Sequence, residues 1–182
     1  MAKKSVPKLP QLHPFLDITI AAIFLICLKH FNFTLLFFKY CTILTILAII
    51  SFIDLKVSII PNLFVLALAV WGVFWQFVYP EFTLAKAFLG FLISGIIFIV
   101  IDILSRGGMG AGDIKLIAVL GFLTGWPNIL YVIFLAFVLG AVAGIILIMA
   151  RKKTKKDTIP FAPFIAIAFL ITTLWGMPFF VS

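Results

Sequence analysis

Two aspartates stand where chemistry is possible in a chain that has only six acidic residues. Asp113 closes the stretch Gly-Gly-Met-Gly-Ala-Gly-Asp at 107–113, which interrupts two apolar runs and leads into Ile114-Lys115-Leu116. Asp54 ends an earlier apolar run in Phe52-Ile53-Asp54-Leu55-Lys56, and Pro61-Asn62 follows. A charge beside strongly apolar sequence is costly and marks a functional site by default. Two carboxyl groups in one wet cleft can share the work of hydrolysis: an ionised one takes a proton from water, and a protonated one gives a proton to the departing nitrogen. Close together they cannot both ionise cheaply, so their proton affinities separate. The plain alternative is an isolated acid at each span end, reaching for water by itself. The other acids have simpler readings. Glu81 and Asp157 fall in loops and are expected to be solvated. Asp17 lies near a span end, and Asp102 can pair with Arg106 one turn on.

The elements that must position these acids are membrane helices. Of the 182 residues, 65% are hydrophobic, 22 are Phe, and the mean hydropathy is +1.32. Soluble domains are about 45–50% apolar, so lipid is the solvent here. The apolar runs fall at 15–31, 34–54, 60–79, 84–104, 113–126, 128–150 and 160–181. They lack the two-residue alternation of a transmembrane β-barrel. The fold class is therefore all-α, a polytopic transmembrane bundle of about seven spans (six if the first run fails). One membrane-embedded domain covers 1–182, with residues 1–14 as a short cytoplasmic tail. No cleavable signal peptide is evident, so the first run is expected to stay.

The formal charge is +8. Nucleic acid is one reading of a basic chain, but orientation in the membrane is the better one. With the N-terminus inside, eleven of the 14 Lys and Arg residues face the cytoplasm, and Lys29, Lys39 and Lys86 face outward. The run Arg151–Lys156 serves that topology, or else forms a patch for anionic lipid or a partner. Cys27 and Cys41 form no CxxC pair, and His30 is a lone interfacial residue. No Cys, His and acid cluster is visible, so neither a metal nor a cofactor is expected. The fifth run is short: Asp113 to Trp126 spans about 21 Å as helix, against a hydrocarbon core of about 30 Å. Either the glycine loop or the turn at 125–128 then lies below the membrane surface, where irregular backbone survives only inside protein or beside a wet cavity. The helix ends suggest a division of roles, since a helix C-terminus beside Asp54 disfavours an anion and a helix N-terminus beside Asp113 favours one. Asp113 is then the base and Asp54 the acid.

These residues resemble a known family. Gly108-Met109-Gly110-Ala111-Gly112-Asp113 with Lys115 is similar to the GxGD signature of the type IV prepilin peptidases. Asp54, six residues and then Pro61-Asn62 resembles their first aspartate motif, and Pro160-Phe161-Ala162-Pro163 resembles their last-span motif, with Ala162 where Gly is usual. The resemblance covers residues 54–164. It implies an inner-membrane aspartic endopeptidase that cuts the basic leader from type IV pilin or pseudopilin precursors at the cytoplasmic face. Asp54 and Asp113 match the catalytic pair. Gly108, Gly110, Gly112, Lys115, Pro61 and Asn62 match the supporting loops, and Pro160, Phe161 and Pro163 match a substrate or packing motif. Larger members carry paired CxxC motifs and also methylate the new N-terminus. This chain shows no CxxC and so resembles the short, peptidase-only members. Presenilins and signal peptide peptidases share GxGD but pair their first aspartate with Tyr, where Ile53 stands here, and carry a Pro-Ala-Leu motif absent here.

A small transporter or proton-relay protein is the competing class, because paired membrane acids also move protons. No internal repeat of the transporter kind is visible. A non-catalytic assembly scaffold is a third reading, and it needs neither acid.

Overall fold

The computed structural model describes residues 14–150 and 159–175. Among them, every apolar run is helical: α1 (Pro14–Phe31), α2 (Leu35–Val57), α3 (Asn62–Val78), α4 (Leu84–Leu104), α5 (Ala111–Thr124), α6 (Ile129–Met149) and α7 (Ala162–Leu174). The chain is an all-α helical membrane bundle. Helices α1, α2, α4 and α6 are each long and apolar enough to cross a bilayer, whereas α3 has 17 residues, α5 has 14 and α7 has 13. The N-terminal tail, the basic run Arg151–Lys156 and Asp157 lie outside the described residues.

Local sequence sets the breaks between helices. α2 ends at Ser58, which takes the left-handed conformation (φ 51°) and donates its N–H to Asp54 O. Pro61 is extended (φ −69°, ψ 128°) and stands as the N-cap of the next helix, which begins at Asn62. α4 starts at Thr83, whose hydroxyl accepts from the Lys86 N–H.

The surface is apolar, as lipid contact requires: Phe77 and Leu104 on the outside are among the most exposed residues. The centre is α5. Its residues Leu116 to Gly121 are all buried, and so are Leu123 and Thr124. α5 packs along α4 at a distance that only glycine permits. A Cβ on Gly90 would lie 2.2 Å from Gly121 O, and one on Gly121 would lie 2.3 Å from Gly90 O. Ser94 adds a hydrogen bond from its hydroxyl to Ile117 O (3.1 Å). Small residues of this kind drive helix association in lipid, where burial from water contributes nothing.

The helices fall into two sets. α3 and α4 each pack on α5, and α1, α2, α7 and α6 pack one on the next in that order. Backbone approaches between the sets are few, at α2–α3, α4–α6 and α5–α6. Leu47 and Ile50 of α2 and Leu116 and Leu120 of α5 nevertheless belong to one continuous apolar core.

The α4–α5 geometry makes a prediction. Gly121→Ala should destabilise the protein by about 1–3 kcal/mol, the usual cost of overpacking. Gly95→Ala should be tolerated, because its Cβ would meet only Ala118 Cβ at an ordinary 3.5 Å. Thermal unfolding of the two variants in detergent measures both.

Candidate active site

Asp54 sits in the last turn of α2 and Asp113 in the first turn of α5, so the two helix sets each contribute one acid at the same end of the bundle. Their carboxyl groups are within Coulombic reach of one another. Asp54 is only 5% exposed. Its Oδ2 accepts a hydrogen bond from the backbone N–H of Ala162 (3.1 Å). Ala162 is the first residue of α7, whose opening N–H groups have no partner within the helix. The Pro160-Phe161-Ala162-Pro163 stretch thereby has a physical role. Proline at 163 starts the helix, and the turn offers a free donor to the acid.

This placement alters the sequence expectation about helix ends. Asp54 does lie at the C-terminal end of α2, but it also faces the N-terminus of α7. Asp113 faces the N-terminus of its own helix. Both acids therefore meet a positive helix end, and the asymmetry that singled out Asp113 as the base disappears.

Asp113 is held by the glycine loop. Its N–H donates to Gly110 O (3.0 Å), and a Cβ on Gly110 would stand 3.1 Å from Asp113 Oδ2. Among the described residues, Asp113 Oδ1 is a buried oxygen with no hydrogen-bond partner. Gly112 lets the start of α5 press against the α2–α3 connection: a Cβ there would lie 2.8 Å from Ile60 Cβ. Pro61 and Asn62 complete that connection. The Asn62 amide oxygen accepts from Lys115 Nζ (3.2 Å), so Lys115 ties α5 to the start of α3. Gly108 donates its N–H to Ser105 Oγ (3.2 Å).

Two expectations about charge are corrected here. Asp102 does not pair with Arg106; its Oδ1 accepts the Met109 N–H (3.1 Å) and braces the glycine loop. Glu81 is not simply solvated, because it bonds Lys39 and the Tyr40 hydroxyl (2.7 Å) and forms the one ion pair among the described residues. Lys56 lies over the Phe52 ring, its Nζ 4.3 Å from the ring centroid.

The remaining motif residues pack. Phe161 lies among Phe98, Phe137 and Phe164, with the Phe137 ring centroid 5.3 Å away. Pro163 lines an apolar cavity of about 250 Å³ between α1, α2 and α7. Sequence reasoning missed two contributors, the Ala162 N–H and the Asp102 brace. Nothing in the residue type of Ala162 signals a donor. Asp102 lies seven residues before Met109, a spacing that only a folded-back loop makes meaningful.

The arrangement offers one buried carboxyl group with a backbone donor and another with a buried oxygen that has no partner among the described residues. Two carboxyl groups so placed are chemically capable of acid–base work. Residues 41–145 match the model of the Type IV leader peptidase family. The chain is 34% identical over 136 residues to a prepilin leader peptidase/N-methyltransferase of Aeromonas salmonicida, covering 72% of this chain and 47% of that protein. It is 33% identical over 152 residues to the protein of the same description from Pseudomonas aeruginosa (81% and 52%). The Bacillus subtilis counterpart is 26% identical over 165 residues (91% and 66%). The chain thus spans about half the length of the Aeromonas and Pseudomonas relatives. No solved structure matches the chain significantly.

The contact at Gly112 is testable without an activity assay. Gly112→Ala should force the first turn of α5 away from Ile60 and cost about 1–3 kcal/mol. Gly112→Ala should therefore unfold at a lower temperature than the wild type in detergent, and an unchanged midpoint would mean that Ile60 yields freely.

Proposed function

The chain belongs to the type IV leader peptidase family, and from that premise we propose that it is a membrane aspartic endopeptidase. Its substrates are type IV pilin-like or pseudopilin precursors, whose leader it removes at the cytoplasmic face. The observation that carries this reading is the convergence of Asp54 and Asp113 from two helix sets at one end of the bundle.

The reaction needs no group beyond the two acids and water. One carboxylate takes a proton as the water oxygen adds to the scissile carbonyl carbon. The partner carboxyl protonates the departing nitrogen as the C–N bond breaks. The proton then passes from the first acid to the second, and the pair is restored. Asp54 suits the base, because the Ala162 N–H bonds its carboxylate there. Asp113 suits the acid, because its unpartnered Oδ1 can present a proton to substrate. This is the reverse of the division that helix ends alone suggested.

Charge distribution supports a cytoplasmic site. Lys56, Arg106 and Lys115 lie at the end of the bundle that holds the acids, whereas Lys39 and Lys86 lie at the other. Basic residues concentrate on the cytoplasmic side of membrane proteins. Multi-pass insertion in the cell inner membrane follows from the same reading. Lys115, bonded to Asn62, stabilises the α3–α5 junction beside the site and leaves the acids to act on each other.

Purified protein should cleave a pilin-like precursor in detergent or liposomes. Asp54→Asn and Asp113→Asn should each abolish cleavage, at least a thousandfold if one group does acid–base work in a coupled pair, while membrane insertion stays normal. Substantial turnover by either variant would refute the pair.

Carboxyl infrared spectra check the division of roles. The protonated C=O band of the resting protein should vanish in Asp113→Asn and survive in Asp54→Asn. The converse pattern would restore Asp113 as the base.

A further inference from the structure

Far from the acids, at the opposite end of α2, the bundle interior holds a lysine. Lys39 is 4% exposed, and its ammonium pairs with Glu81, whose second oxygen accepts the Tyr40 hydroxyl. Trp71 of α3 adds a hydrogen bond from its indole N–H to Lys39 O (3.4 Å). The chemistry at Asp54 and Asp113 uses none of these groups. The pair is half-buried, with Lys39 enclosed and the Glu81 side chain 27% exposed, and desolvation of the lysine offsets much of the attraction. What such a pair does well is hold one arrangement, because separating it leaves an unpaired charge in an apolar interior.

The arrangement it holds is the seam between the two helix sets. Lys39 and Tyr40 belong to α2, which carries Asp54. Glu81 belongs to the α3–α4 connection, and that connection is fastened to the set carrying Asp113. Gln76 of α3 donates its side-chain N–H to Phe82 O (2.8 Å). The Phe82 ring packs against Gly125 at the C-terminal end of α5, where a Cβ would come within 2.8 Å of it. Trp126, just beyond, donates its N–H to Lys86 O (2.9 Å). Lys39 and Asp54 are separated by about 22 Å along α2, and Asp113 and Gly125 by about 18 Å along α5. Each acid therefore sits at one end of a helix whose other end is fixed to the same polar cluster.

We propose that Glu81, through its bonds to Lys39 and Tyr40, is a positioning residue that pins the two helix sets together at the far face and thereby sets the distance between Asp54 and Asp113. The proposal rests on the reading of these acids as the working pair. Few backbone approaches join the sets elsewhere, so the pin limits rotation of α5 against α2. A displacement of about 1 Å at reacting groups can lower a rate a hundredfold.

The test removes both charges at once, as Lys39→Met with Glu81→Leu, so that the enclosed Lys39 is not left as an unpaired charge. Two readouts are needed. The first is precursor cleavage: kcat should fall about tenfold or more at unchanged KM, since the substrate surface is intact and only the pair is misaligned. The second is the electron-spin distance between labels on Lys56→Cys and Ala111→Cys, with Cys27 and Cys41 replaced by alanine. These positions flank the acids without being part of them. The distance distribution should shift or broaden when the pin is removed. An unchanged distance, or an unchanged kcat, overturns the proposal, as does a loss of kcat matched by loss of folded protein. If the wild type cleaves no precursor, the functional reading fails, and the label distance still decides whether the pin positions the two helices.

Discussion

The hydrogen bond from Ala162 N–H to Asp54 is the constraint on which the site depends. A carboxylate inside an apolar bundle needs a partner, and lipid offers none. Side-chain cations do not supply one here, since Lys56 lies over Phe52 and Lys115 bonds Asn62. The donor comes instead from the buried start of α7, whose first backbone N–H groups have no partner within the helix. That contact adds direction to the packing of α2 on α7 and brings the Pro160–Pro163 stretch to the acid.

The other half of the site is built by close approach. α5 is short and largely buried from Leu116 onward, helped by Gly90 and Gly121, which let α4 and α5 nearly touch, and by Gly112, which admits Ile60. The price of this tight packing is a helix too short to cross a bilayer by itself. Its first turn, with Asp113, is consequently held by the glycine loop, which Asp102 braces from α4. The flexibility that glycine gives the loop is thus restrained by a carboxylate from the helix before it.

Together these features describe a protein in two packed parts, each bringing one acid. Polar contacts join the parts at the end away from the acids, through the Lys39–Tyr40–Glu81 cluster, while the hydrogen bonds of the acids stay within each part. Elsewhere the join is apolar and non-directional. Dispersion fills such a seam but does not fix its register, and hydrogen bonds do.

Much of this was legible in the chain itself. The membrane class and the seven helices follow from the length and composition of apolar runs, which are local properties. The helix limits differ from those runs by only a few residues, as at α2 (Leu35–Val57) against 34–54. Asp54, Asp113 and the glycine loop stood out because a charge or a cluster of glycines in apolar sequence is itself a signal. The partners of those residues were not legible. The donor to Asp54 is a backbone N–H 108 residues away on an alanine, and every residue but proline has such a group, so no residue type announces it. Glu81 read as a solvated loop acid because its partners lie 41 and 42 residues earlier, on another helix. The sequence by itself determined which groups are chemically capable. Tertiary structure alone decided which donor faces each of them, because a hydrogen bond depends on distance and direction, and those exist only once helices remote in sequence have packed.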